Sequence, residues 1–417
     1  MKGLTLRRSM MVTLAVAWFL SYADRVNMSV ASIPMQEKFG WDETTKGIVM
    51  GSVFLGYLCS QLLGGWIVDR VSAVKMIGYS AILFSLTTLA TPYAAQVSFS
   101  VLIAARVLLG VAEGFMVPAT YAFIGRWSPD NERARLLAIV VSGATIGAPG
   151  GLILSGYLVD AYGWESAFYV FGFAGIAWAL YWFVSAADIP ARHPRITREE
   201  ARVLEPSVAE QEPNTATPVR QILRHPSVWA LIINKFASLW MVYVFLAWLP
   251  TYFNRVQGIS LAGSGLFAAL PWIAMSIMLY AASGFSDGLL RRGRDVDWVR
   301  KLMQTIGLVG ACIFLLLIPF ANSAVIALAA TCMAMASLAS CYSGADPTIM
   351  EMVPHHRGFV TGLVGTLGNL PGVIAIPLIG WLVDTTGSFS WGFITAAVFN
   401  LIAVLVWLAY GTGRRVI

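Results

Sequence analysis

Charge is what this chain has least of. Of its 417 residues only 12% are Asp, Glu, Lys or Arg, against about 25% in an ordinary soluble domain. That supply cannot cover a water-facing surface of this size. It excludes an ordinary soluble enzyme, a disordered protein and a nucleic-acid binder. Cysteine is scarce too. Cys59, Cys312, Cys332 and Cys341 are the four present. All sit in apolar runs with no close pairing, so they read as small buried hydrophobes, not as a disulfide or metal framework. The four histidines (His193, His225, His355 and His356) fall in polar segments, and no metal or Ser–Lys arrangement within an apolar run is apparent. No Gly-x-x-x-x-Gly-Lys-[Ser/Thr] loop occurs, so no ATP site or other cofactor is implied, and any work must be driven by a gradient.

What the chain does have is apolar length. It is 58% hydrophobic, with a mean hydropathy of +0.71. About 20 apolar residues are needed to cross a bilayer, and twelve stretches qualify: 10–34, 45–68, 76–94, 98–124, 135–159, 165–187, 227–253, 262–286, 300–320, 323–350, 358–383 and 389–410. They are too long, and lack the two-residue alternation, for strands of a membrane barrel. The first holds charges and precedes no small-residue cleavage site, so it reads as a span and not a removable signal.

The basic residues test the count. With both termini on the cytoplasmic side, 22 Lys and Arg fall in inside segments and 3 (Lys38, Lys46 and Arg255) in outside loops. That asymmetry is the positive-inside pattern. It reads the loop cations as orientation signals, and places an all-α, multi-pass chain in a cell inner membrane.

The longest polar stretch, 188–225, holds five prolines. It reads as a cytoplasmic linker between a lobe at 1–187 and a lobe at 226–417. The halves resemble each other. Gly156-Tyr-Leu-Val-Asp160 closes the fifth span and Gly380-Trp-Leu-Val-Asp384 the eleventh. Asp69 after the second span has a counterpart in Asp287 after the eighth. Parallel six-span repeats are the pattern of a two-lobed transporter with a midplane site. Gly65-Trp-Ile-Val-Asp69-Arg70, with Lys75 following, resembles the loop motif of the major facilitator superfamily. A carboxylate at a helix end beside basic groups suits a gating latch, and Asp69, Arg70 and Asp287 are its candidates.

Five ionisable residues lie well inside spans: Asp24, Arg25, Arg106, Glu113 and Lys235. Each costs about 2.5–3.5 kcal/mol or more at the bilayer centre, which favours function over accident. Arg106 and Glu113 are two turns apart on one face, about 10 Å along the axis. Asp24 and Arg25 are adjacent and point about 100° apart, so they serve different partners. Protonating both carboxylates makes the set more positive and better able to hold an anion, which is the electrostatic basis of proton–anion symport. Asp346 and Glu351, near the end of the tenth span, read as helix-end salt-bridge partners.

Ser21-Tyr22-Ala23-Asp24-Arg25-Val26-Asn27-Met28-Ser29 resembles the first-helix signature of the anion:cation symporter family within that superfamily. Arg106-Val-Leu-Leu-Gly110-Val-Ala-Glu113-Gly114, His193-Pro194-Arg-Ile-Thr-Arg-Glu199-Glu200, Leu249-Pro250-Thr251-Tyr252-Phe253 and Gly368-Asn369-Leu370-Pro371-Gly372 resemble its fourth helix, central loop, seventh and eleventh helices. The resemblance covers nearly the whole chain. It implies a twelve-helix fold in two six-helix lobes. It also implies a substrate carboxylate at Arg25, protons carried by Asp24 and Glu113, and Arg106 regulating Glu113 or lying on the anion path. Tyr22, Tyr57 and Asn369 match substrate contacts of the sugar-acid branch, and Ser340 and Ser343 offer hydroxyls. Lys235 matches no hallmark of the family and marks either a second anionic group on the substrate or a position unrelated to it. Asp24 aligns the chain with the bacterial, proton-coupled branch. Gly143-Ala-Thr-Ile-Gly147-Ala-Pro149-Gly150-Gly151 partly resembles an antiporter motif, though close packing through small residues explains it as well.

The expectation is therefore a monomeric secondary transporter that imports a small organic anion with protons by alternating access. The anion is a carboxylate such as a sugar acid, and the lipid bilayer and the proton gradient are the other partners. The rival readings are an antiporter or exporter on the same scaffold and a non-transporting membrane sensor. Trp240, Trp248 and Trp272 either line an aromatic-tolerant pocket or pack.

Overall fold

A computed structural model describes residues 5–68, 70–129, 132–204, 219–352 and 357–414. Among them there is no strand. Six long helices come first: α1 Leu6–Phe39, α2 Glu43–Val68, α3 Ala73–Val97, α4 Phe99–Trp127, α5 Arg133–Tyr162 and α6 Glu165–Ser185. Short α7 (Arg198–Leu204) and α8 (Val219–Arg224) lie in the polar middle. Then come α9 Pro226–Thr251, α10 Leu261–Arg291, α11 Val296–Leu317, α12 Ala324–Ala339, α13 Ala345–Met352, α14 Arg357–Gly368, α15 Leu370–Thr386 and α16 Ser390–Tyr410. Counting α12 with α13 and α14 with α15 as broken spans gives twelve, as the hydropathy pattern predicts. Ten spans meet the length and composition for crossing a membrane among the described residues. α1 is long enough at 34 residues, but its own polar and charged residues dilute its apolar character.

Serines and glycines set the helix ends. Ser98 closes α3 and caps α4, accepting the Val101 N–H at 3.3 Å. Ser260 accepts from Gly263 N–H at the start of α10. Gly387 ends α15 at φ 69°, left-handed backbone that glycine takes without strain. Large apolar side chains point outward all along the spans, Phe173 and Val184 among them. That outward apolar surface is what a lipid-facing wall requires.

The chain divides into two compact units. One comprises Met1–Ala31 and Ser52–Thr215, the other Ser32–Gly51 and Ala216–Ile417. The sequence reading put the whole of 1–187 in the first lobe; in the structure the α1–α2 tip, Ser32–Gly51, groups with the C-terminal helices. Within the first unit α3 packs on α4 and α6, and α5 on α6. Within the second, α9 and α11 pack on α16, and α10 and α11 on α12.

Three expectations change. The four cysteines are unpaired, but Cys59 is exposed and only Cys341 is buried. Lys46 is no loop orientation signal: it lies in α2 and is 0% exposed. The tenth span is not continuous, because it breaks at a 3₁₀ turn, Ser340–Ser343, followed by Gly344. The break is stabilised from α11. Arg300 donates to the Ser343 carbonyl at 2.9 Å. The Gln304 side chain accepts the Ala345 N–H and donates to Asn234, each at 2.9 Å. Backbone freed from a helix inside a membrane needs such partners. The glycine-rich run of α5 proves to be a packing surface: a Cβ on Gly143 would lie 2.0 Å from the Ala15 carbonyl oxygen.

Candidate anion site

The first unit brings α1, α2, α3 and α4 together around the predicted intramembrane charges. Close approach of α2 to α4 makes this possible. A Cβ on Gly56 would meet the Val107 carbonyl at 1.9 Å, and one on Gly110 the Val53 carbonyl at 1.8 Å. Tyr57, next to Gly56, is carried toward α1 and α4 as a result.

Arg25 is 7% exposed and its Nε donates to Glu113 Oε2 at 2.6 Å. Its guanidinium carbon lies 4.4 Å from the Tyr57 ring centroid and 5.0 Å from that of Tyr22. Two electron-rich faces and one carboxylate therefore compensate a cation that the bilayer would otherwise penalise. Asp24, the adjacent residue, turns to α3: Oδ2 accepts from the Thr88 hydroxyl at 2.9 Å, and Oδ1 from Asn27 Nδ2 at 3.3 Å. The different partners expected for neighbouring helix positions are thus observed.

Arg106 is 1% exposed and interacts electrostatically with Glu113 and Asp24. Its Nε and Nη2 find no hydrogen-bond partner among the described residues, and neither does Glu113 Oε1. Arg106, Glu113, Asp24 and Arg25 form one cluster of two cations and two carboxylates, with donor groups left unused. Thr88 is the member sequence reading missed. It sits on α3, a helix with no charge to draw attention inside the span.

The other predicted residues lie in the second unit. Lys235 Nζ reaches Asp346 Oδ1 and Oδ2 at 3.2 and 3.1 Å, with the Tyr342 ring 5.4 Å away. The break at Gly344 puts Asp346 in the first turn of α13, so it makes a helix-end ion pair as expected, with Lys235 of α9 as the partner. Asn369 occupies the junction between α14 and α15, accepting from the Tyr243 hydroxyl and donating to the Gly365 carbonyl at 2.6 Å. Ser343 lies in the 3₁₀ turn, 3.3 Å from the Ser283 hydroxyl. Trp240 and Trp248 pack: Trp240 against Phe399 at 4.3 Å between ring centroids, Trp248 by donating to the Ile376 carbonyl.

Of the gating candidates, Asp69 lies outside the described residues. Arg70 is exposed just beyond α2. Asp287 is exposed near the end of α10, without an ion pair among the described residues.

The comparisons decide the family. The description "Major Facilitator Superfamily" matches residues 14–375 and again 293–415. This chain belongs to the major facilitator superfamily. It is 35% identical over 401 residues to "Probable anion transporter 4, chloroplastic" of Oryza sativa subsp. japonica, covering 96% of this chain and 68% of that protein. It is 35% identical to "Sodium-dependent phosphate transport protein 1, chloroplastic" of Arabidopsis thaliana, covering 96% and 78%. It is also 35% identical to "Ascorbate transporter, chloroplastic" of Arabidopsis thaliana, covering 99% and 76%. Among solved structures, a bacterial homolog of the human lysosomal transporter Spinster in an inward-facing, occupied conformation superposes with a TM-score of 0.78 at 18% identity, covering 98% of this chain and 97% of that one. A D-xylose–proton symporter gives 0.73 at 14% identity, covering 98% and 99%. These superpositions establish the twelve-helix major facilitator fold. The chain is a multi-pass membrane transporter and not an enzyme, and its curated relatives are named as anion transporters.

Proposed function

We propose that the protein is a proton-coupled symporter that imports a small organic anion, a carboxylate such as a sugar acid, across a cell inner membrane, with both termini cytoplasmic. The observation that carries this reading is the 2.6 Å contact of Arg25 with Glu113. One Arg25 edge is occupied by an internal carboxylate, and an incoming carboxylate is the same chemical group. Protonating Glu113 removes its charge and weakens its hold on Arg25. The guanidinium then takes the substrate through its paired N–H groups. Each ligand therefore favours the state the other binds, as symport requires. Asp24, hydrogen-bonded to Thr88, is the second proton carrier. Arg106, with unused donors, holds the local potential positive while Glu113 is neutral. Tyr22 and Tyr57 keep the Arg25 plane fixed for bidentate contact.

Asn369, Ser343 and Lys235 supply further substrate contacts in this reading. Lys235 exchanges its Asp346 partner for a second anionic group. Asp69, Arg70 and Asp287 serve gating at the loop ends. The transporter works as a monomer, without a cofactor, by alternating access driven by the proton gradient.

The names of two relatives favour alternatives, inorganic phosphate carried with sodium or ascorbate as the anion, and exchange on the same scaffold is a further rival. Proteoliposomes separate these readings. Uptake of a panel of sugar acids, ascorbate and phosphate is measured under imposed proton or sodium gradients. Accumulation of a carboxylate that follows the proton gradient alone supports the proposal. Exchange that no gradient drives uphill overturns the coupling.

A further inference from the structure

The seventh span carries a groove that transport leaves unused. Within the second unit α9 packs on α14, α15 and α16. Between them lies a groove of about 350 Å³ that no other described residue fills. Trp229, Ile233 and Phe236 of α9 line it, with Leu367, Leu370 and Phe399 opposite. The three α9 positions share one helix face and extend about 10 Å along the axis. Every lining side chain is apolar, except for the indole N–H of Trp229. That N–H is already committed, donating to the Leu223 carbonyl at 2.8 Å. On α16 the exposed Ile402 and Leu405 carry the groove into the outward apolar wall.

One end of the groove meets positive charge. The bond from Trp229 to Leu223 ties that end to α8. Arg220 and Arg224 lie one turn apart on α8, and both are exposed. Ile222, about 200° round the helix from Arg220, is buried with Val228 and Trp407. The arginine face therefore points away from the protein core. α8 holds no acid, and neither arginine makes an ion pair among the described residues. Because α8 follows six spans, it lies on the same side of the bilayer as the start of α1. Orientation alone explains the sign of these arginines, but not their register with the groove.

The other wall is the broken eleventh span. Leu367 and Leu370 flank Gly368 and Asn369, and Pro371 has no N–H to offer the Leu367 carbonyl. A break of this kind needs cover from lipid.

We infer that the groove holds an anionic phospholipid, with its phosphate on Arg220 and Arg224 and one acyl chain along α9 against the break at Asn369. The order of groups selects this occupant. Two exposed cations come first, then an indole of the kind that sits at headgroup level, then a purely apolar slot. A free anion would use only the cations. A zwitterionic lipid offsets its phosphate with its own cation, and arginines near a membrane surface favour net negative headgroups. A helix of a second copy would use only the slot.

The inference is independent of the transported anion and of the coupling ion, and so is its test. The full chain is purified in detergent with equal amounts of phosphatidylglycerol and phosphatidylcholine of the same acyl chains. Native mass spectrometry counts the lipids retained. Wild type should prefer phosphatidylglycerol by about tenfold or more, the scale set by two arginines at a headgroup. Arg220→Gln combined with Arg224→Gln should retain both lipids alike, with an unchanged unfolding midpoint in phosphatidylcholine. Ile233→Trp fills the groove but leaves the arginines, and should retain less of either lipid. Inorganic phosphate alone should not raise the unfolding midpoint. Equal retention of the two lipids by wild type, or a preference that survives loss of both arginines, overturns the site. So does stabilisation by inorganic phosphate that matches that of the lipid, or a dimer whose subunits carry no lipid.

Discussion

Arg25 and Glu113 are 88 residues apart in sequence and share a 2.6 Å hydrogen bond between α1 and α4. Glu113 is 1% exposed, and its second oxygen has no partner among the described residues. The proposed coupling has this carboxylate hold Arg25 in one state and, once neutralised, release it to the substrate anion in the other. Removing its charge while keeping its shape separates the two. Glu113→Gln is expected to keep counterflow exchange and to lose uphill uptake. One pH unit is worth about 1.4 kcal/mol per proton, a tenfold ratio. Wild-type vesicles under such a gradient should accumulate about tenfold per coupled proton, and the variant should stop near equilibrium. If the variant accumulates like wild type, the coupling proton is elsewhere, with Asp24 the next candidate.

The cation is the second test. Arg25→Lys keeps the charge but not the planar fork, and a shorter ammonium cannot satisfy both Glu113 and a substrate carboxylate. Anion binding measured by thermal shift or titration should fall at least about a hundredfold, the scale of losing a bidentate charged contact. Tyr57→Phe keeps the ring face over Arg25 and should weaken binding less than Tyr57→Ala. Unchanged affinity in Arg25→Lys would move the substrate away from α1.

Much of this was legible in the sequence because the membrane simplifies the code. A charge inside an apolar run is conspicuous, so Asp24, Arg25, Arg106 and Glu113 stood out without any geometry, and span counting followed from run length and loop charge. Uncharged partners carry no such mark. Thr88 looks like any membrane threonine until α3 places it 2.9 Å from Asp24. Lys46 was misread because it lies only a few residues from the polar α1–α2 connection; Glu43, Gln36 and Trp248 reach it only in three dimensions. The break at Gly344 was hidden for a related reason. Ala, Ser, Cys and Tyr maintain the apolar run straight through it, and its stabilising groups, Arg300 and Gln304, belong to another span.

Lys235 and Asp346 allow a test of structure against transport. Their side chains are 26% and 32% exposed, so the pair is only partly desolvated. Losing one partner should cost about 1–3 kcal/mol, below the range for fully buried pairs. Lys235→Met and Asp346→Leu should each lower the unfolding midpoint in detergent, and the double variant should recover most of the loss. Transport then assigns the role. A stable double variant that still transports makes the pair a packing element, whereas one that is stable but does not bind the anion places Lys235 on the substrate.

Gln304 should be the most sensitive uncharged position in the second unit. Both ends of its amide are engaged, the oxygen accepting from Ala345 N–H and the nitrogen donating to Asn234 at 2.9 Å each, and it is 1% exposed. Gln304→Leu matches its volume but leaves the Ala345 N–H and the Asn234 oxygen without these partners in a water-poor interior. Each orphaned group costs about 1–3 kcal/mol, so the unfolding midpoint should drop by several degrees. The break at Gly344 also presents Asp346 to Lys235, so the damage should spread. With the turn loosened, the additional effect of Asp346→Leu should be smaller than in the wild-type background. A double-mutant cycle measures that coupling. Strict additivity of the two substitutions would show that Lys235 and Asp346 meet without help from the Gln304 relay.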